Sequence, residues 1–483
     1  MIIAIYCLLG LLGALIAFMI IRTLLTKNTQ TAVMGGFVPF GADKDKIAEE
    51  LSGAVKFPTV TLQDGNAKGG AVFLEFQKYL EKTYPLLMSK AKKVQINGYA
   101  VIYMIDGSDK TLLPSAFLAH QDVVPALEDN WEFPPYSGEI HNGYVYGRGA
   151  QDMKAQMIAS LHAMEQLLKS GAVLKRGAYF CFGHDEELRG DQGAAKIAEY
   201  LEQNNVKLEY VLDEGGAIVD GKMLGCKGKL ALIGTCEKGY ADIILTAESR
   251  GGHASMPKKR TALGTLSEAV MDVELSPMKS YFASPVKEMF KELAPAMPFP
   301  MKLALVNRDI LSPILRFVLA KLHPVANSLI RTTFAPTQMK GANVPNTLPS
   351  VATANINVRI NTGQTVEDVV KHIKAVVGRK ISVSVDEGDS PASQVSSTTS
   401  NAYKNLRDTI CTVFGATVAP YMFTAATDSG RYYGLTKNVY RFTPFDLNAE
   451  DGSRIHSANE RMDINALAMG AEFFMTLYKN TLL

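Results

Sequence analysis

SAFLAHQD (residues 115–122) and AYFCFGHDEE (residues 178–187) decide the fold class, because each joins a short apolar run to imidazole and acidic side chains. Met153 to Leu168, which lies between them, has the apolar spacing of a helix. Leu208 to Leu212 repeats the apolar pattern and ends at Asp213. This alternation predicts an α/β fold whose sheet is mainly parallel, with helices on both faces. Ligands of such sheets bind at the carboxyl ends of the strands.

The length and composition of the chain limit its possible classes. Its 483 residues are too many for one compact core, so two domains are expected. A net charge of +2 with no concentrated basic block argues against a nucleic-acid partner. The five cysteines are odd in number and form no CxxC pair, so a disulfide framework is not expected.

The N-terminal segment is apolar and long. Ile2 to Ile21 contain no charged side chain, and a helix of this length spans roughly 30 Å, the thickness of a bilayer core. We therefore predict a single-pass membrane anchor over residues 1–22 and a linker over 23–41. A cleaved signal peptide is the alternative, but no basic side chain precedes the apolar run. Arg22 and Lys27 follow the span and favour a cytoplasmic catalytic domain by the positive-inside rule.

The sequence pattern changes near Gly239. Alternating strands and a helix that begins after Thr365 predict an inserted, smaller α+β domain of the ferredoxin-like type over residues 240–390. The sheet domain is then expected in two parts, 42–239 and 391–483. Residues 277–336 are unusually apolar and contain several prolines. This segment is expected to pack on its own domain or on a partner, to admit an acyl chain, or to lie on the membrane.

A set of acidic and imidazole side chains follows the predicted strands or lies in loops. Each member has an ordinary explanation alone, as a loop histidine, a helix N-cap aspartate or a solvated acid. Together they supply neutral imidazole, a carboxylate that can bridge two cations about 3.5–4 Å apart, and a carboxylate free to move a proton. That is the ligand set of a two-metal hydrolytic centre. The set is His120, Asp152, Glu186, Glu187, Asp213 and His456.

One further side chain extends this set. Asp122, two residues after His120, is placed to accept a hydrogen bond from the second ring nitrogen of that histidine. Such a bond would fix the tautomer and raise the basicity of the ring.

These motifs resemble peptidase family M20, the zinc aminoacylase and carboxypeptidase superfamily. They are His-x-Asp, Gly-Arg-Gly-x-x-Asp-x-Lys, Glu-Glu, Asp-Glu-Gly and a late histidine. The chain is most similar to the carboxypeptidase S, Gly-Xaa carboxypeptidase and N-fatty-acyl-amino-acid hydrolase branch, and the resemblance covers nearly everything after the anchor. It implies two zinc ions, with cobalt or manganese as substitutes. It also implies a cis peptide bond after the bridging aspartate.

The resemblance assigns each ligand. His120 and Asp213 would hold one zinc ion, Glu187 and His456 the other, and Asp152 would bridge them. By the same resemblance, Glu186 would be the general base and Asp122 would orient His120.

The resemblance also assigns roles to the inserted domain, which would be a lid and dimerisation domain. His253 in RGGHAS (residues 250–255) would reach the site of a partner subunit and stabilise the oxyanion, which implies a homodimer. Asn343 and Arg359 would contact substrate. Arg431 lies in TDSGR (residues 427–431), where one more glycine precedes the arginine than in the family pattern, so its role is open.

The expected function is that of a di-zinc amidohydrolase. It would cleave the amide bond next to a free C-terminal carboxylate in small peptides or N-acyl amino acids. A dedicated fatty-acyl amino acid deacylase is the alternative within enzymes. A metal-free binding protein on the same fold is the alternative from another class, and Glu186 argues against it because a scaffold has no use for a free base.

Overall fold

The computed structural model describes residues 2–28, 30, 36–61, 70–257, 259–322 and 324–483. Part of the predicted linker, at position 29 and over 31–35, therefore lies outside the described residues. The α-helices, in chain order, are α1 Ile2–Leu25, α2 Lys44–Val55, α3 Ala71–Thr83, α4 Pro85–Lys90, α5 Lys154–Lys169, α6 Ala194–Gln203, α7 Ala262–Leu275, α8 Ser284–Leu293, α9 Phe299–Val306, α10 Arg308–Leu322, α11 Pro324–Ile330, α12 Val366–Val377, α13 Asn401–Phe414, α14 Ala449–Gly452 and α15 Ile464–Leu482.

Four sheets contain the strands. The strands are β1 Lys92–Ile96, β2 Ala100–Ile105, β3 Ser115–His120, β4 Ile140–His141, β5 Tyr144–Tyr146, β6 Ala178–Gly183, β7 Val211–Asp213, β8 Ala217–Asp220, β9 Lys229–Glu237, β10 Gly239–Glu248, β11 Gly252–His253, β12 Thr333–Lys340, β13 Thr347–Leu348, β14 Val351–Ile360, β15 Ile381–Val385, β16 Thr417–Phe423, β17 Val439–Arg441 and β18 Arg461–Asp463. The largest sheet has nine strands in the order β1-β2-β6-β3-β7-β17-β9-β16, with β8 also paired to β9.

The large sheet is mixed, so the predicted parallel pairing holds for part of it. Its centre, β6-β3-β7-β17, and the pair β9–β16 are parallel. The pairs β1–β2, β2–β6, β17–β9 and β8–β9 are antiparallel. The reason at one edge is local, because only the three residues 97–99 connect β1 to β2, and a loop this short makes the two strands antiparallel. Asn97 and Gly98 in this loop have positive φ, 44° and 85°.

Helices cover both faces of the large sheet, as predicted. Successive residues of a strand point to opposite faces. Phe117 of β3 therefore packs in the core that includes Tyr478 of α15, whereas Leu118 packs in the separate core that includes Ile197 of α6. Both cores are continuous with the strand ends that carry the acidic and imidazole residues.

A second, four-stranded antiparallel sheet has the order β12-β14-β10-β15. Its chain order with two helices, β10-α7-β12-β14-α12-β15, is that expected of a ferredoxin-like unit. Thr365 caps α12 through a capping box with Asp368, as the sequence pattern indicates. The apolar segment between α7 and β12 forms the four helices α8 to α11. The domain boundaries at 239–240 and 390–391 remain predictions.

Helix α1 has 24 residues, a mean hydropathy of 2.6 and only 6% of its most apolar window buried. Its length and composition suit a membrane span, and an N-terminal signal sequence has the same properties. The chain that follows is held against the sheet domain, because the side-chain amide of Gln30 pairs with both backbone groups of Val418.

Candidate metal centre

Three neighbouring parallel strands bring distant parts of the chain to one edge. His120 is the last residue of β3, Glu186 and Glu187 follow β6 in a short 3₁₀ turn, and Asp213 ends β7. Strands β6, β3 and β7 are adjacent, so their carboxyl ends meet. Asp152 comes from the loop before α5, and His456 from the turn before β18.

Asp152 is the centre of the cluster. Its Oδ1 lies 2.9 Å from Nε2 of His120, and its Oδ2 lies 3.0 Å from Nε2 of His456. Each carboxylate oxygen thus faces a different imidazole, which is the arrangement that a bridging ligand needs. The peptide bond between Asp152 and Met153 is cis, as the family resemblance implied.

Glu187 lies beside the second histidine. Its Oε1 is 3.1 Å from Nε2 of His456. Ligand atoms of His120, Asp152 and Glu187 lie within 4.8 Å of one another. The structure therefore brings four of the five predicted ligands together.

The fifth predicted ligand, Asp213, falls in neither group of close ligand atoms, although its buried carboxylate interacts with His120. Its carboxylate accepts the backbone N–H groups of Glu214 at 2.9 Å and of Ser429 at 2.8 Å. Oε1 of Glu214 lies 3.3 Å from Nε2 of His120. A second group of ligand atoms within 4.8 Å of one another therefore belongs to His120, Glu186 and Glu214. Adjacent side chains at a strand end point in different directions, and of these two acids Glu214 is the one whose carboxylate lies within ion-pair distance of His120.

Asp122 acts differently from the prediction. Its backbone carbonyl oxygen, at 2.9 Å, accepts the hydrogen bond from Nδ1 of His120, while its carboxylate is 3.6 Å away. The carboxylate instead accepts the backbone N–H groups of Glu186 and Glu187. One residue therefore directs Nε2 of the histidine towards Asp152 and also fixes the turn that presents the two glutamates.

The electrostatics of the cluster follow from burial and from the concentration of acids. Burial, together with the nearby carboxylates of Glu214 and Asp428, holds the pKa of Glu186 well above its usual value. Burial and Asp152 raise the pKa of Glu214 to about 8. Burial alone would raise the pKa of Asp152, but the hydrogen bonds from the two imidazoles lower it overall. Hydrogen bonds to Asp152 and Glu187 raise the pKa of His456 to about 10.

These groups fit divalent metal ions. Imidazole nitrogen and carboxylate oxygen are the ligands that zinc takes in catalytic sites, and the described cysteines lie outside both ligand groups. Several buried carboxylates at one point repel one another unless cations neutralise them. The donor set and its excess of negative charge therefore suit the predicted pair of ions.

The loop that carries Asp152 is tied to the loop that carries His456. The buried guanidinium of Arg148 donates to Glu460 at 2.8 Å, and Glu460 also accepts the backbone N–H of Gln151. Sequence reasoning missed Glu460, Glu214 and Asp428. The Asp-Glu pair at 213–214 was the one available signal, since either acid could have faced the metal.

The predicted substrate residues lie elsewhere. His253 and Asn343 are exposed, and among the described residues the imidazole of His253 bonds to Ser255. The guanidinium of Arg359 lies 5.0 Å from the ring centre of Tyr240. Arg431 pairs with Asp191 and with the carbonyl oxygen of Arg189, so its side chain is engaged at the surface.

The chain is similar to a known peptidase family and to several of its members. The model of peptidase family M20/M25/M40 matches residues 116–480. N-fatty-acyl-amino acid synthase/hydrolase PM20D1 of Xenopus tropicalis is 38% identical over 444 residues, which cover 91% of this chain and 86% of that protein. Probable carboxypeptidase S-like 2 of Dictyostelium discoideum is 34% identical and covers 90% of this chain and 85% of its own.

A solved structure shares the fold. The M20 family metallo-carboxypeptidase Sso-CP2 from Sulfolobus solfataricus aligns with a TM-score of 0.64 at 19% identity. The alignment covers 90% of this chain and 98% of that one. At this identity the likeness concerns the fold alone.

Proposed function

Because the chain belongs to peptidase family M20/M25/M40 and is a hydrolase of amide bonds, we propose that it cleaves the amide next to a free carboxylate in small peptides or N-acyl amino acids. The observation that carries the proposal is Asp152, whose two oxygens each face a different imidazole beside the half-buried Glu186. Two zinc ions would be held by the bridging Asp152, by His120 with Glu214, and by His456 with Glu187. Glu214 thus replaces Asp213 in the set of ligands.

Each side chain of the site has a task. When bound, the metal pair supplies Lewis acidity and lowers the pKa of a water molecule. Glu186 accepts the proton of the attacking water on a carboxylate oxygen and passes it to the leaving nitrogen. The carboxylate of Asp122 holds the backbone of Glu186 in place through its hydrogen bond.

Substrate recognition is assigned to the second sheet. Arg359 on β14 binds the free carboxylate of the substrate through two parallel hydrogen bonds. His253 and Asn343 are exposed in one chain, which suits donors that complete the site of a second chain in a homodimer and stabilise the oxyanion. Helix α1 anchors the protein in the membrane, with the catalytic domain on the cytoplasmic side.

Glu186→Gln tests the chemical step. We expect turnover to fall by about a hundredfold or more while zinc content stays at the parental level, because Gln cannot accept the proton. Glu139→Gln, on an exposed residue outside both groups of candidate ligands, is the matched control and should keep full activity. Parental turnover in Glu186→Gln would refute the assigned role.

Substrate class is tested on the same preparations. The name of the Xenopus relative includes hydrolysis of N-fatty-acyl amino acids, and the apolar helices α8 to α11 offer surface for an acyl chain. Hydrolysis of a Gly-Leu dipeptide is compared with that of a long-chain N-acyl leucine after chelation and zinc re-addition. Activity on the acyl substrate alone would make the protein a dedicated deacylase, and zinc-independent activity on both would refute the metal centre.

A further inference from the structure

Helix α10 exposes an apolar stripe to solvent. Ile310, Ile314 and Phe317 follow one another at helical spacing on one face, and Ile314 and Phe317 are each 63% exposed. The opposite side of the helix is apolar too, because Leu315 belongs to the buried core that α8 and α9 share. A helix that is apolar on both sides is unusual in contact with water alone.

The stripe begins where the candidate membrane span ends. Arg22, in the last turn of α1, pairs with Asp309 of α10 at 3.1 Å. The buried Asn307 donates to the carbonyl oxygen of Met19 and to Oγ1 of Thr23. Lys302 of α9 donates to the carbonyl oxygen of Thr26. These bonds fix the start of α10 against the last turns of α1, so the apolar surface of the span continues onto α10.

A basic cavity lies beside the stripe. Its volume is about 440 Å³, and its lining includes Arg316, Phe317, Lys321 and Arg331. Nε of Arg331 is buried without a hydrogen-bond partner. Among the described residues, no carboxylate forms an ion pair with any of these three cationic side chains. Arg316 donates to the carbonyl oxygens of Ser280 and Ser312, and Nζ of Lys321 lies over the ring of Phe317. The cavity thus combines positive charge that no carboxylate neutralises with an apolar wall, which suits an anionic group attached to hydrocarbon.

We propose that α10 lies in the interface of an anionic bilayer beside the anchor, with a phospholipid headgroup in the basic cavity. Apolar side chains of a surface helix enter the boundary between headgroups and acyl chains, while basic side chains meet anionic headgroups. The inference rests on the proposed membrane location of α1. It gives the catalytic domain a second, fixed contact with the membrane.

Lipid quenching in nanodiscs tests the contact. The full chain with Cys7→Ser carries one fluorophore at Ile314→Cys or Phe317→Cys, since the other cysteines are buried. Leu12→Cys reports on the anchor, and Val173→Cys is an exposed apolar control outside the stripe. Brominated lipid should quench positions 314 and 317 at least about threefold more than position 173. Quenching at 12 with 314 and 317 equal to 173 would overturn the inference and leave the anchor standing. No quenching at 12 would overturn the anchor and the inference with it.

Changing the charge of the lipid tests whether the basic cavity binds a headgroup. Adding phosphatidylserine to phosphatidylcholine nanodiscs should increase quenching at 314 by about twofold, and Lys321→Gln should remove most of that increase. Lys287→Gln on the neighbouring α8 is the matched control and should keep it. An equal response in both variants would overturn the headgroup site. If inorganic phosphate abolished the response at constant ionic strength, the cavity would be a site for free phosphate and the inference would also fail. Unchanged melting temperatures confirm that the variants are folded.

Discussion

At the residue scale, the adjacent acids Asp213 and Glu214 divide two tasks. Asp213 holds two backbone N–H groups, and Glu214 faces His120. We predict that Glu214→Gln lowers zinc affinity by about a hundredfold or more with little loss of stability. Asp213→Asn should keep zinc but lower the free energy of unfolding by about 1–3 kcal/mol, because its amide nitrogen would meet a backbone donor. Zinc competition titration measures zinc affinity, and chemical denaturation measures the free energy of unfolding. A larger loss of zinc affinity in Asp213→Asn than in Glu214→Gln would refute the assignment.

Lys238 gives the protein a pH-dependent stability outside the metal centre. Burial, ahead of repulsion by Arg359, lowers its pKa from 10.5 to about 7. Between these values the unfolded chain keeps a proton that the folded chain releases, so the stability due to this group rises with pH across that window.

Substitution of Lys238 tests that window. Lys238→Met should raise the free energy of unfolding by about 1–3 kcal/mol near pH 6, and the gain should shrink as the pH approaches about 10. The loss of its hydrogen bond to the carbonyl oxygen of Arg331 reduces the gain. Denaturation of parent and variant at several pH values measures it. A gain that grows with pH would contradict the predicted sign.

Some residues of the site could be predicted from the sequence, and others could not. His120 and the Glu186–Glu187 pair were predictable because each follows an apolar run that ends at the sheet edge. The sequence could not predict whether Asp213 or Glu214 faces His120, because this depends on the direction of one side chain after the last strand residue. The role of the Asp122 carboxylate needed the contact with a turn more than sixty residues away.

At the element scale, two loops are joined by a buried ion pair. Arg148 before α5 and Glu460 before β18 are 1% and 0% exposed, and both loops carry cluster residues. We predict that Glu460→Ala lowers the free energy of unfolding by about 3–5 kcal/mol. The buried guanidinium of Arg148 would keep only the partly exposed carboxylate of Glu128 as an ionic partner, and the backbone N–H groups of Gln151 and Asp152 would lose their acceptor. Glu450→Ala, which breaks only exposed ion pairs with Arg454 and Arg461, should cost about 1 kcal/mol or less. Equal costs in thermal or chemical denaturation would refute the role of the buried pair.

Whole elements followed the sequence closely where their periodicity was clear. The predicted helix after Thr365 is α12, and one of the predicted alternating strands is β14, whose buried and half-buried residues alternate from Ala352 to Ile360. Strand direction was harder to predict, because it depends on connections such as the Asn97–Gly98 turn and not on the apolar pattern within a strand. The exposed stripe of α10 could not be predicted from the sequence either, because the sequence of an apolar helix does not show which of its faces is buried.

At the scale of the whole molecule, the donor proposed for the oxyanion, His253, lies on an exposed strand outside both groups of candidate ligands. Within the described part of the chain, its imidazole bonds to Ser255 of its own turn. If the second sheet of one subunit completes the site of the other, a site needs Glu186 from one chain and His253 from its partner. The interface would then be isologous, with each subunit giving and receiving one histidine.

Subunit complementation tests this exchange. Glu186→Gln and His253→Ala proteins should each be nearly inactive. Co-expressed in equal amounts, they should recover about one quarter of parental turnover, because half the dimers are mixed and one of the two sites in each has both groups. If His253 served its own chain, no site in a mixed dimer would hold both groups and turnover would stay at the level of the single variants. Tagging the two chains differently and purifying the mixed dimer raises the expected recovery to about one half. That doubling separates true complementation from residual activity of either variant.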